Sequence, residues 1–381
     1  MNLNQLLDDL DVKAKDFSTK ITSLTQDSRR VLKGSLFFSL RGTKEAKILN
    51  LNKALSLGAR AVVHDVDGFK KGFYVKDIHK IFSESLNLFY KESFKNLKVY
   101  GVTGTNGKTT YAYMLKSLLE SYDTPTGIFG TVENSFKSQI LDTGLTSPIA
   151  EDFYSFSHKN YTDHGMKALV CEVSSHALDQ KRMGLNFLDG AAFTSFSQDH
   201  LDYHKSMETY LNAKLKIFSE ASKGESFFCM SSDVYEKHVG IDVNETIDSG
   251  NLNAIKVLNL DEFKISYKPN SYGFDIEFSR SFKSNSHKNS SDVSKSTSET
   301  KVLKGHLPTL GEFNVSNFGL ALMTLCNHFG DEFFPDSRIF KSFKTPPGRM
   351  EPVFFNKQPI AYIDYSHTPD SLEKAMQMYP M

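Results

Sequence analysis

An excess of charge of either sign, clustered cysteines and long apolar runs are all missing from this 381-residue chain. Lysine plus arginine number 45 and aspartate plus glutamate 45, so the formal net charge is zero. No basic excess marks a nucleic-acid surface, and no polycationic tail marks a membrane surface. Any anion must therefore be held by a local site. The three cysteines, Cys171, Cys229 and Cys326, are far apart and have no metal-ligand spacing. Each reads as a small buried hydrophobe, and so sparse and odd a count fits a reducing compartment. Residues Met1 to Lys20 carry scattered charges and no apolar run of signal-peptide length. Nowhere does the chain reach the ~18 apolar residues of a membrane span. These absences predict a soluble, cytoplasmic protein with no nucleic-acid partner.

What is present reads as α/β. At roughly one domain per 100–200 residues the length allows two or three domains. Residues 35–40 and 59–64 are strand candidates, 52–57 a short helix, and 78–94 an amphipathic helix. A second unit opens with the apolar run Leu97 to Val102, a Gly-rich turn, and a helical pattern from Lys108 to Ser121. Residues 168–173 and 190–194 are further buried strands, each ending in polar residues. Residues 281–301 are serine-rich and nearly free of apolar side chains, which predicts a mobile surface loop. Its flanks, 272–278 and 301–307, read as hairpin strands. Beyond Pro352 come a strand at 360–365 and a helix at 369–377 with proline in its first turn. The expected organisation is a small N-terminal α/β domain (1–98), a central P-loop domain with a parallel sheet (99–351), and the start of a truncated Rossmann-like domain (352–381).

Three segments carry chemistry. In Gly101-Val-Thr-Gly-Thr-Asn-Gly-Lys-Thr-Thr110, glycines permit tight turns and close backbone approach, and the loop amides with the following helix N-terminus face an anion. Lys108 can reach the β- and γ-phosphates of a nucleotide and the Thr109 hydroxyl can bind Mg²⁺. The loop has one residue more between its outer glycines than the usual pattern. Glu172-Val-Ser-Ser-His176 closes a buried strand, where Glu172 reads equally as a metal ligand or as a solvated strand end. Gln198-Asp-His-Leu-Asp-Tyr-His204 follows the next strand, so it falls on the same ligand-facing edge. There His200 is either a ligand or part of a helix-capping turn with Asp199 or Ser197 as the cap.

Taken together these segments resemble the Mur ligases, and within them the MurE type, which add the third amino acid of the peptidoglycan stem peptide to UDP-MurNAc-L-Ala-D-Glu. The matching runs are 25–29, 101–110, 146–148, 172–182, 199–204, 210–214, 311–317, 347–351 and 364–370, in family order. The phosphate loop alone also fits cyanophycin synthetases and folylpolyglutamate synthases; the runs at 172–182 and 199–204 point to the MurE branch. The resemblance implies a reaction in which ATP phosphorylates the substrate carboxylate and an amine, diaminopimelate or lysine, displaces the phosphate. Gly104, Thr105, Asn106, Gly107, Lys108, Thr109 and Thr110 would hold ATP, with Asn317, Arg349 and Asp364 around adenine and ribose. Thr109, Glu172, His200 and a carbamylated Lys214 would hold Mg²⁺, and Lys108, Lys214 and His200 would be catalytic. Helical pattern alone reads Lys214 as a solvated lysine. Ser28 would contact uridine; Thr146, Ser147, Ser174, Gln180 and Arg182 would line the muramoyl-dipeptide channel.

Two departures stand out. After Gly42 the family's Asp-Gly-His-like turn is replaced by Thr43 to Ile48. The family's third domain, with the motif that reads the incoming amino acid, is represented only by 352–381. A separate chain supplying that domain is one expectation. A non-catalytic nucleotide- or UDP-sugar-binding remnant is the alternative to an active ligase, with a cyanophycin-type ligase a further one.

Overall fold

The computed structural model describes residues 1–10, 20–239, 255–270, 273–282, 299–341, 343, 346–355 and 358–377. They form two compact units, one of residues 1–97, 148–165 and 180–187, the other of 98–147, 166–179 and 188–381.

The first unit is built on a four-stranded parallel sheet: β1 (Ser23–Thr25), β2 (Ser35–Phe38), β3 (Ala61–His64) and β4 (Phe73–Tyr74), in that order. Every residue of β2 and β3 is buried, the pattern of parallel strands covered on both faces. Between them runs the helix Lys44–Ser56, capped by Thr43, whose hydroxyl accepts from the Ala46 amide at 3.4 Å. It is longer than the 52–57 expected: only Leu51 and Ala54 are buried, and Lys44, Glu45 and Lys47 make its first turn mainly charged. The amphipathic run 78–94 forms two helices, Ile78–Phe89 and Lys91–Asn96, parted at Tyr90. Helix Ala150–His164 belongs to this unit and buries Phe153 and Tyr154, whose rings lie 5.7 and 4.6 Å from that of Phe94. It ends at Gly165, whose φ of 73° is the left-handed cap a glycine adopts without strain.

The second unit holds an eight-stranded sheet: β5 (Lys98–Thr103), β6 (Thr126–Phe129), β7 (Asn134–Phe136), β8 (Gln139–Ile140), β9 (Ala168–Glu172), β10 (Leu188–Phe193), β11 (Ser222–Met230) and β12 (Ile255–Val257). Their order is β12-β11-β10-β5-β9-β6-β7-β8, parallel from β12 to β6 and antiparallel beyond. Strand β5 is central, flanked by β9 and β10. The segments leaving these three strands therefore share one carboxyl edge, where α/β sheets hold their ligands. Helix Lys108–Ser121 follows β5 as expected. It packs on helix Glu312–Phe329, with the Tyr111 and Thr324 hydroxyls 2.8 Å apart. That second helix buries every residue from Asn317 to Cys326, so it is enclosed on all sides.

A three-stranded antiparallel sheet, β13 (Phe263–Asn270), β14 (Gly273–Phe282) and β15 (Glu299–Leu307), packs into the same core. Strands β14 and β15 are the pair expected on either side of the serine-rich stretch; of the mobile loop expected there, 283–298 lie outside the described residues. Strands β16 (Glu351–Phe355) and β17 (Gln358–Ile363) form an antiparallel pair, followed by helix Pro369–Gln377, and they fall in this unit. All three cysteines are buried and unpaired by disulfides, as the sequence suggested.

Candidate active site on the phosphate-loop edge

The loop after β5 is stitched to the segment after β10. The Thr105 amide donates to the Ser195 carbonyl at 2.8 Å. The Asn106 amide donates to the Ser195 hydroxyl at 2.9 Å, and Thr194 Oγ1 donates to the Asn106 carbonyl at 2.6 Å. Thr105 Oγ1 donates to the Ser197 carbonyl and accepts from its amide, both at 3.0 Å. Two glycines make this closeness possible. A Cβ on Gly104 would stand 2.2 Å from Thr194 Oγ1, and Gly107 holds φ at 87° with Asn317 Oδ1 2.7 Å from where its Cβ would be. Thr194 and Ser195 were not singled out from sequence, and Ser197 was read only as a candidate helix cap; the signal for all three was the polar run that ends a buried strand.

Lys108 opens the helix after the loop, and its Nζ donates to the carbonyls of Gly104 (2.8 Å) and Thr105 (2.9 Å). Lys214 projects from helix Met207–Ser219 and donates to that same Gly104 carbonyl at 2.9 Å. It is 1 % exposed, with Nζ 4.5 Å from the centre of the Tyr210 ring. The reading of a solvated lysine is thus corrected: the capping box of Ser206 and Thr209 starts this helix so that Tyr210, Lys214 and Ile217 all face inward. Burial, with Lys108 adding repulsion and Asp199 opposing, pushes the Lys214 amine well below its ordinary pKa. Lys108 shifts downward too, chiefly by desolvation, with Glu172 pulling the other way.

Glu172 ends β9 and is 1 % exposed, so the solvated strand end is excluded. Its carboxylate accepts from the Thr131 amide and hydroxyl, each at 3.0 Å. The Thr131 and Thr146 hydroxyl oxygens lie 3.3 Å apart. Gly130 leaves the space, for a Cβ there would lie 2.3 Å from Glu172 Oε1. Ser147 Oγ donates to the Glu172 carbonyl at 2.9 Å and accepts from the Ser174 amide at 3.1 Å. Thr146, Ser147, Ser174 and Glu172 therefore form one polar cluster in the second unit. Ser28, Gln180 and Arg182 belong to the first unit, where the Ser28 hydroxyl donates to Asn50 Oδ1 at 3.0 Å and Arg182 donates to Gln180 Oε1 at 3.0 Å.

His200 has φ at 51° and lies beside Asp199, with Nε2 3.4 Å from Oδ2. Desolvation lowers its pKa, against the pull of Asp199. Neither Asp199 nor Ser197 caps the short helix Leu201–His204; its cap position is His200, and Asp199 accepts from the His200 amide at 2.8 Å. The His200 ring stands 4.8 Å from that of His176. Among the described residues no three His, Cys, Asp or Glu side chains gather as a ready-made metal cluster.

The C-terminal segments reach the same loop. Arg349 Nη2 donates to the Thr109 hydroxyl at 3.2 Å, and its guanidinium lies 5.0 Å from the centre of the Tyr365 ring. Asn106 Nδ2 donates to Asp370 at 3.4 Å. Asp364 accepts from the Met350 and Ser366 amides, both at 2.9 Å. Asn317 is buried and donates to Asn314 at 3.2 Å. The edge thus brings together Gly104 to Thr110, Thr194 to Ser197, Lys214, Arg349 and Asp370.

A strand, a glycine loop and a helix at the centre of a parallel sheet define a P-loop α/β module. Residues 102–325 match the Mur ligase middle-domain family. The UDP-N-acetylmuramoyl-L-alanyl-D-glutamate--2,6-diaminopimelate ligase of Haemophilus influenzae (strain 86-028NP) is 31 % identical over 376 residues, which cover 94 % of this chain and 71 % of that one. The ligase of the same name from Aquifex aeolicus (strain VF5) is 31 % identical over 369 residues, covering 94 % and 69 %. A solved structure of a UDP-N-acetylmuramoyl-L-alanyl-D-glutamate--2,6-diaminopimelate ligase superposes with a TM-score of 0.75 at 22 % identity, over 98 % of this chain and 73 % of that one. The chain belongs to the Mur ligase family, MurE type, and is an ATP-dependent acid–amino-acid ligase. Among the described residues no helix is long and apolar enough to cross a membrane.

Proposed function

We propose that this chain joins an amino acid, diaminopimelate or lysine, to UDP-MurNAc-L-Ala-D-Glu in peptidoglycan synthesis, working in the cytoplasm through an acyl phosphate. The substrate carboxylate attacks the γ-phosphorus of ATP and ADP leaves. The amine then attacks the acyl carbon, phosphate departs, and the amine loses a proton. In this assignment 1–98 hold the UDP-substrate, 99–351 hold ATP, and 352–381 open the third domain.

The observation that carries the reading is the convergence of Lys108 and Lys214 on one loop carbonyl, on the edge that also holds Glu172. Both reacting partners are anions, so catalysis rests on positioning and charge neutralisation rather than on covalent help from the protein. Lys108 supplies a cation at the phosphate loop. Burial lowers the proton affinity of Lys214, which makes its amine more available as a nucleophile and suits it to carbamylation: it adds to carbon dioxide, releases a proton, and gains an anionic oxygen pair. Glu172 and the Thr109 hydroxyl are the hard oxygen donors Mg²⁺ prefers, with a Lys214 carbamate as a third and His200 beside them. When bound, that ion neutralises charge on the transferring phosphoryl group. Asn317, Arg349 and Asp364 would lie around the adenine and ribose, and Ser28, Thr146, Ser147, Ser174, Gln180 and Arg182 would bind the UDP-substrate. The Arg182 guanidinium can grip a carboxylate in two places.

The test is incubation with ATP, Mg²⁺ and UDP-MurNAc-L-Ala-D-Glu plus diaminopimelate or lysine, followed by assay of phosphate and tripeptide. Turnover with one amino acid is expected. Nucleotide binding without turnover would leave a binding remnant in place of a ligase.

A further inference from the structure

Glu151 is a buried carboxylate that none of the chemistry above uses. It stands in the first turn of helix Ala150–His164 and is 7 % exposed. Its oxygens accept from Thr25 Oγ1 (2.9 and 3.1 Å), from the Gln26 amide (2.8 Å) and from Arg30 Nη1 (3.1 Å). Arg30 also pairs with the neighbouring Asp152. One side chain therefore grips both ends of the turn Thr25–Arg30. The middle of that turn is tied internally: the Asp27 amide donates to Thr25 Oγ1 at 3.1 Å, and Asp27 Oδ1 accepts from the Arg29 amide at 2.9 Å. Ser28 sits between these ties, its hydroxyl aimed at Asn50.

A carboxylate buried in this way is costly unless its acceptors are filled. Desolvation indeed raises its pKa, opposed by the Gln26, Thr25 and Arg30 contacts. A hydrophobic residue would anchor helix 150–164 at less cost, so what the carboxylate adds is direction: it fixes where the Thr25 hydroxyl, the Gln26 amide and the Arg30 guanidinium point. We infer that Glu151 is a positioning residue for sugar-nucleotide binding, holding the Thr25–Arg30 turn so that Ser28 faces the uridine. This rests on the proposal that Ser28 meets the UDP end of the substrate.

The full chain is titrated calorimetrically with UDP-MurNAc-L-Ala-D-Glu and, separately, with ATP. Glu151→Gln keeps the volume but turns an amide NH₂ toward three donors. It is expected to weaken the UDP-substrate about tenfold, as the loss of charge-assisted hydrogen bonds implies, and to leave ATP affinity unchanged. Thr25→Val should do the same, Thr25→Ser should restore parental affinity, and the double variant E151Q/T25V should be no worse than either single. Parental UDP-substrate affinity in E151Q overturns the positioning role alone. Equal loss of ATP affinity overturns it in favour of a general folding role. A parent chain that binds ATP but no UDP-substrate overturns the reading of Ser28 and the role of Glu151 with it.

Discussion

Lys108 and Lys214 donate to the same acceptor, the Gly104 carbonyl, at 2.8 and 2.9 Å. Two amines this close, one of them fully buried, repel each other when both are protonated; burial first, and then the Lys108 charge, lower the proton affinity of Lys214. The pair is thus better suited to one cation and one modified or neutral amine than to two ammonium groups.

Lys214→Met tests that asymmetry. Replacing a buried amine by an apolar chain of similar length removes a desolvation cost. Thermal melting at pH 7 should show a Tm equal to or above the parent's, while ligase turnover is lost. A variant that melts lower and keeps turnover contradicts the assignment.

The same lysine gives stability a pH dependence. Its folded pKa lies below the ordinary 10.5, so between the two values the unfolded chain binds more protons. Its contribution is complete above 10.5 and is lost as pH falls through the depressed value. Denaturant titrations across the alkaline range should show stability rising more steeply with pH in the parent than in Lys214→Met. Equal slopes would mean that the amine titrates normally.

Lys108→Ala should weaken ATP at least about tenfold, the cost of one charge-assisted contact to phosphate, with little change in Tm. Its two hydrogen bonds go to carbonyls of the phosphate loop itself, and it is not a member of the hydrophobic core. ATP titration alongside thermal melting decides this; parental ATP affinity would remove Lys108 from the phosphate site.

Gly130→Ala acts through Glu172. The added methyl meets Oε1 at 2.3 Å, so the carboxylate must leave Thr131 or the backbone must shift. The expected result is a raised Mg²⁺ requirement for turnover with ATP binding retained. An unchanged Mg²⁺ dependence would separate Glu172 from metal binding.

Local pattern was enough for some elements and not for others. Helix Lys108–Ser121 and helix Pro369–Gln377 stand where their sequences place them, because a glycine loop precedes one and a proline opens the other. Helix Lys44–Ser56 was only partly legible, since its first turn is mainly charged and only Leu51 and Ala54 are buried. The break at Tyr90 leaves no mark in the amphipathic run that spans it.

The phosphate loop, its strand and its helix were determined by sequence alone, because glycine conformations and the amides of a helix N-terminus are local properties. The partners of that loop were decided only by tertiary structure. Strand order sets β9 and β10 on either side of β5, which brings Glu172 and the Thr194–Ser197 run, distant in sequence, to its edge. The burial of Lys214 is of the same kind: a lysine on a helix is solvated by default, and only the packing of that helix against the loop removed its water and lowered its pKa.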